Sequence, residues 1–211
     1  MCYFCDKASC VMSIEDKIIE VIRAKGEGTI FFPNDFIDFG EPKSIGKALE
    51  RLTEKNQILR LARGIYCYPK QDKVMGLGVL YPSIEEIADS IARRDKARIV
   101  PTGIHALNKL GLSTQIPMNF VYLTDGTRRK INLGNGKSIQ FRFTSPKNLA
   151  FTNKLAMLVT FALKELGQDK ITEPQIAQLK QILEKESKEK VMVDASLMPA
   201  WIRTIIKNAY E

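Results

Sequence analysis

The 211-residue sequence predicts an α+β chain: an N-terminal winged helix-turn-helix, then a mixed α/β domain with a small antiparallel sheet and terminal helices. Three observations carry this. Residues 13–70 change period in the order helix, strand, helix, helix, hairpin. Residues 119–145 hold three runs rich in β-branched and aromatic residues, broken by glycine turns. From Lys147 onward the apolar spacing is helical again. The expected division is a tail at 1–12, a DNA-binding domain at 13–70, a linker at 71–82 and an α+β domain at 83–211.

The elements follow in order. SIEDKIIEVIRAKG begins at Ser13, a good helix cap, with Asp16 completing an approximate capping box and Gly26 as the stop. GTIFFP reads as a short strand. PNDFIDFG starts on a proline tolerated in a first helical turn and reads as a second short helix. In the next helix Ser44 is the expected cap, and Ile45, Ala48, Leu49 and Leu52 form one apolar stripe. ILRL and IYCY flank Ala62-Arg63-Gly64, a glycine turn that fits a β-hairpin. KQDKVMGLGVLYP has two glycines and no period, hence the linker. IEEIADSIARRD is a helix capped by Ser83, ARIVP a strand, and residues 102–110 a short helix stopped at Gly111. NFVYLTDG, RRKINLGNG and KSIQFRFTS are the three strands, the last two joined at Gly134-Asn135-Gly136. Three helical stretches close the chain, the last carrying Trp201 on an apolar face.

The net charge is +8, which makes a polyanionic partner plausible without choosing among nucleic acid, acidic protein and anionic membrane. The excess is local. Residues 42–70 hold seven Lys/Arg (Lys43, Lys47, Arg51, Lys55, Arg60, Arg63, Lys70) against Glu50 and Glu54. Residues 127–147 hold six Lys/Arg and no acid. Lys43, Lys47 and Arg51 stand four apart on one face of the third predicted helix, the face that a helix-turn-helix lays in a major groove. Gly46 removes a side chain there and allows close approach to a sugar-phosphate backbone. Arg63 sits at the hairpin tip, suited to a phosphate or a minor groove. Lys43, Ser44, Lys47, Arg51, Arg60 and Arg63 are the expected DNA-binding residues. Arg128, Arg129 and Lys130 have two readings: a charged hairpin edge that discourages strand pairing, or a second anionic contact.

Enzymatic chemistry finds little support. No G-x-x-x-x-G-K-[ST] occurs. The single histidine, His105, lies in an apolar helical pattern and reads as structural. A metal-dependent nuclease needs clustered carboxylates, whereas Asp125 is the one acid between Gly111 and Phe151. Cys2, Cys5 and Cys10, with distant Cys67, lack the second half of a zinc knuckle. The expectation is therefore no enzyme, no cofactor and no metal, in a reduced cytoplasmic chain with no membrane partner. The first residues lack the pattern of a secretory signal, and Met12 reads as an alternative start.

The motifs GTIFFPNDF, IGKALERL and ILRLARGIYCYP, followed by PSIEEIA, RIVPTGIHALNKLGLSTQIP and VYLTDG, resemble the AbiEi-type antitoxins of bacterial abortive-infection systems. The likeness covers roughly residues 13–150. It implies a winged-helix DNA-binding domain plus a C-terminal antitoxin domain. It further implies repression of the chain's own promoter and neutralisation of a nucleotidyltransferase-like toxin encoded beside it, with direct toxin binding left open. The DNA-contacting role maps onto Lys43, Ser44, Lys47, Arg51 and Arg63. The alternative is a stand-alone winged-helix regulator, or a protein-interaction module, with no toxin partner.

Overall fold

The computed structural model describes residues 12–72, 76 and 78–211. The chain forms two compact units, the first ending at Ile87 and the second running from Ala88 to Glu211.

In the first unit α1 (Ile14–Lys25) starts on the Ser13 cap, with the Asp16 capping box formed. A two-residue strand β1 (Ile30–Phe31) follows, then a 3-10 segment Pro33–Phe39 in place of an α-turn. Helix α2 spans Pro42–Glu54. It begins earlier than the Ser44 cap predicts: Glu41 is the cap and Pro42 the first helical residue. Proline's fixed φ and missing N–H suit that position, so Ser44 lies inside the first turn. Strands β2 (Leu59–Ala62) and β3 (Ile65–Cys67) make the hairpin, and the antiparallel sheet has the order β1-β3-β2.

The stripe Ile45, Ala48, Leu49 and Leu52 is buried against Ile18 and Ile22 of α1, Phe31, Phe36, Ile58 and Tyr66. The rings of Phe31, Phe36 and Tyr66 pack on one another, Phe31 edge-on to Phe36 and stacked on Tyr66. This core sets the rotation of α2 about its axis and so fixes which residues face outward.

The expected linker is more ordered than its glycines suggest. Strands β4 (Lys70–Asp72) and β5 (Gly78–Leu80) pair antiparallel across its ends. Backbone hydrogen bonding does not require apolar periodicity, which is why the sequence pattern gives no sign of it. Helix α3 (Ile84–Asp95) begins with a Ser83–Glu86 cap, and the division between units falls within it.

The second unit contains β6 (Ile99–Thr102), α4 (Ile104–Lys109), β7 (Asn119–Thr124), β8 (Arg129–Gly134) and β9 (Lys137–Phe143). Their sheet has the order β6-β7-β9-β8. Pairs β6–β7 and β8–β9 are antiparallel, but β7 and β9 run parallel. The chain leaves β7 for the outer edge, and the hairpin then folds β9 back into the middle. Strand β9 therefore has the direction of β7, a consequence of strand order that periodicity cannot reveal.

Helices α5 (Lys154–Leu166), α6 (Glu173–Leu183), the short α7 (Lys188–Met192) and α8 (Ala200–Ala209) complete the unit. Their apolar faces, with Ala106 and Leu107 of α4 and Leu110 just after it, form its main core, against which Trp201 packs. The buried carboxylate of Asp194 accepts from the Thr152 and Asn153 amides at 2.9 and 2.8 Å. It thereby ties the start of α5 to the chain beyond α7. His105 is buried, edge-on to Phe120 and Tyr122.

Candidate nucleic-acid interface

Around α2 the side chains divide into three strips. The buried stripe holds the helix to the core. Opposite it, Lys43 and Lys47 are exposed one turn apart and make no ion pair among the described residues. Farther along the same outer strip stand Glu50 and Glu54, so the strip is cationic in its first half and anionic in its second. The N-terminal half of the strip is therefore its electropositive end, and the helix dipole adds partial positive charge there.

The third strip faces α1. Arg51 Nη1 donates to Glu15 Oε1 at 3.1 Å and Lys55 Nζ to Glu15 Oε2 at 2.7 Å. The Lys55 hydrogen bond, then that of Arg51, holds the Glu15 carboxyl below the usual value. The Arg51 guanidinium, though 63% exposed, thus pairs with a carboxylate from the first turn of α1, unlike Lys43 and Lys47.

On the other flank, Gly46, Glu50, Thr53 and Glu54 of α2 line a cleft with Arg60 and Tyr66 of the hairpin. A Cβ added at Gly46 meets nothing within 4 Å. The glycine is thus not required by internal packing. Arg60 is exposed on β2, in register with Tyr66. Arg63 is exposed in the two-residue turn, and Gly64 follows with φ 73°, a left-handed conformation suited to glycine. Lys43, Lys47, Arg60 and Arg63 remain free for a polyanion. Ser44 is exposed near the start of the helix.

In the second unit the predicted cations also separate. Arg129 pairs with Asp95 at the end of α3, and its guanidinium lies 5.4 Å from the Phe141 ring centroid. Burial, then the neighbouring charge of Arg94, lowers its pKa. Arg128 and Lys130 are exposed and make no ion pair among the described residues. Two residues that the sequence reading passed over join them: Arg142 and Phe143, which share a cleft with Arg128 and Lys130 at the β8–β9 edge. Strict alternation of Ile139, Phe141 and Phe143 points Phe143 inward. Yet it is 53% exposed, because β8 begins at Arg129, opposite Phe141, and leaves Phe143 uncovered on that side.

The thiol of Cys67 is buried in β3, and burial pushes its pKa up to about 11. That suits a packed side chain better than a metal ligand. Cys2, Cys5 and Cys10 lie outside the described residues. Among the described residues, no three His, Cys, Asp or Glu side chains are grouped to hold a metal ion. No helix of the described chain is long and apolar enough to cross a membrane.

These features define an α+β protein of two units, each with one cationic surface. The chain belongs to a family of unknown function, DUF6088, whose model matches residues 17–191. Comparison with curated proteins gives no match. Among solved structures, the chain is similar to the RV2827C protein from Mycobacterium tuberculosis. The TM-score is 0.52 at 12% identity, over 94% of this chain and 78% of that one. At that identity the likeness concerns the fold alone.

Proposed function

We propose that the first unit is a winged helix-turn-helix that binds duplex DNA, with α2 as the recognition helix and the β2–β3 hairpin as a short wing. The observation that carries this reading is the outer strip of α2. Two uncompensated lysines stand at its N-terminal half, beside a glycine that leaves the helix surface open and a hairpin tipped by Arg63. Lys43 and Lys47, with Ser44, enter the major groove, while Arg60 and Arg63 meet the flanking backbone. Arg51 acts indirectly, by holding α2 on α1.

Following the resemblance to AbiEi-type antitoxins, the chain acts in the cytoplasm as the antitoxin and autoregulator of a toxin–antitoxin operon of the abortive-infection, phage-defence type. The second unit carries neutralisation of a nucleotidyltransferase-like toxin. This assigns repression and rescue to different units of one chain, without enzymatic chemistry or a cofactor.

A mobility-shift titration tests the first half. The full chain binds DNA from its own upstream region more tightly than random duplex. Arg63→Ala weakens both DNAs evenly, whereas Lys47→Ala weakens the preferred site more. Equal affinity of the wild type for both duplexes contradicts the regulator reading. The second half is tested in cells that express the adjacent gene, which this reading expects to encode a nucleotidyltransferase-like toxin. The full chain carrying Lys43→Ala and Lys47→Ala loses repression and still rescues growth. Loss of both together contradicts the division of labour.

A further inference from the structure

The β8–β9 edge of the second unit offers a surface of a different kind from α2. Strand β8 is the last strand of its sheet. Lys130 is in register with Gln140, and Arg142 lies two residues farther on the same face of β9. Arg142 Nη2 donates to Gln140 Oε1 at 3.3 Å, and Asn119 Nδ2 donates to the same oxygen at 3.3 Å. Asn119 Oδ1 in turn accepts from Ser138 Oγ at 2.9 Å. Polar side chains are therefore linked across β7 and β9 before any ligand arrives. The cleft at the open edge of β9, just before β8 begins, is lined by Arg128, Lys130, Arg142 and Phe143 and by no acid. By strand alternation the exposed Phe143 leaves the face of β9 opposite to Arg142, so the ring and the cations stand on the two sides of that edge, within reach of one strand that wraps it.

We infer that this edge is a binding site for single-stranded nucleic acid, with Phe143 stacking on a base and Arg128, Lys130 and Arg142 meeting the phosphates. The combination of an uncovered aromatic ring and unpaired cations selects this ligand. An acidic protein needs the cations but makes no use of a flat ring. A duplex keeps its bases stacked on one another and offers none to Phe143. A single strand uses both, since every base has a face to stack and each linkage a phosphate to neutralise. Arg129 is not a contact: its charge is answered by Asp95, and it supports Phe141 beneath the site. The site lies wholly in the second unit and does not depend on how α2 is read.

The test uses the full chain, with short fluorescent oligothymidylate and oligouridylate followed by anisotropy at low salt. Binding of either is expected. Phe143→Leu, which keeps an apolar side chain but removes the ring, weakens binding about tenfold, and Phe143→Trp restores it. Arg128→Ala with Lys130→Ala lowers the salt slope by about 1.4, the release expected for two phosphates of a single strand. Phe143→Leu causes the same fold loss in the Lys43→Ala, Lys47→Ala background as in the wild type, which separates this site from the duplex reading. Phe143 is exposed, and near-ultraviolet circular dichroism verifies that each variant is folded. The inference is overturned by no oligonucleotide binding, by equal binding of wild type and Phe143→Leu, or by competition from polyglutamate as effective as that from oligonucleotide.

Discussion

Residues 42–70 and the β8–β9 edge both carry an excess of Lys/Arg in sequence, and in each some cations pair with a carboxylate from an earlier helix. In the first unit Glu15 of α1 takes Arg51 and Lys55; in the second, Asp95 of α3 takes Arg129. What remains differs. On α2 the free cations, Lys43 and Lys47, sit on a convex helix with an open glycine between them. At the sheet edge Arg128, Lys130 and Arg142 line the same cleft as an exposed aromatic ring. A convex helix and an open strand edge are different surfaces, although a count of charges treats them alike. Paired cations help to build each unit; unpaired ones are available to a ligand.

The comparison is broken most severely through the buried stripe on which α2 rests. Leu49→Ala removes a fully buried side chain and should destabilise the first unit by ~2–5 kcal/mol in urea denaturation. A change below 1 kcal/mol would mean that α2 is not anchored as described. Next comes the outer strip. Lys47→Ala should cost ~1–3 kcal/mol of binding on the preferred duplex and little stability, whereas Arg51→Ala should do less to binding. If Arg51→Ala proves the more damaging to binding, the division between paired and free cations fails on α2.

Gly46→Ala sharpens the same point. Alanine fits the space and favours the helix, so stability should rise by ~0.5–1 kcal/mol. Duplex affinity should fall, because the new methyl stands where the backbone of the DNA approaches. Improved stability with unchanged affinity would remove the glycine from the interface.

The smallest effect belongs to Glu15→Gln. The pairs with Arg51 and Lys55 are partly exposed, and loss of the charge should cost ~0–1 kcal/mol at neutral pH. Because its two cationic partners hold the Glu15 carboxyl below the ordinary glutamate range, its contribution is full above that range. It disappears as pH falls through the lower folded-state value. Stability curves of wild type and Glu15→Gln should therefore converge in acid. A gap that persists undiminished in strong acid, where the carboxyl is protonated in the folded and unfolded chain alike, would assign the effect to packing.

Much of this was legible in the chain. The Ser13 cap, the stripe on α2, the Arg63-Gly64 turn and the three strands follow from residue type and period. Ser44 misled because hydroxyl caps are common, while Pro42 started the helix sooner. The role of Arg51 was hidden because its partner lies on another helix, and spacing within α2 carries no information about Glu15. Phe143 was hidden for a related reason. Alternation gives the face of a strand to which a residue belongs, but its exposure depends on where the neighbouring strand begins. The β4–β5 pairing left no trace in hydropathy at all.

The central claim is that Lys43 and Lys47 neutralise phosphates of a DNA duplex while Arg51 does not. The direct measurement is the salt dependence of duplex affinity for the wild type, the Lys43→Ala, Lys47→Ala pair and Arg51→Ala. Counterion release predicts that the double variant loses about 1.8 from the slope of log K against log salt, whereas Arg51→Ala loses close to nothing. Equal slopes for the wild type and the double variant would contradict the account.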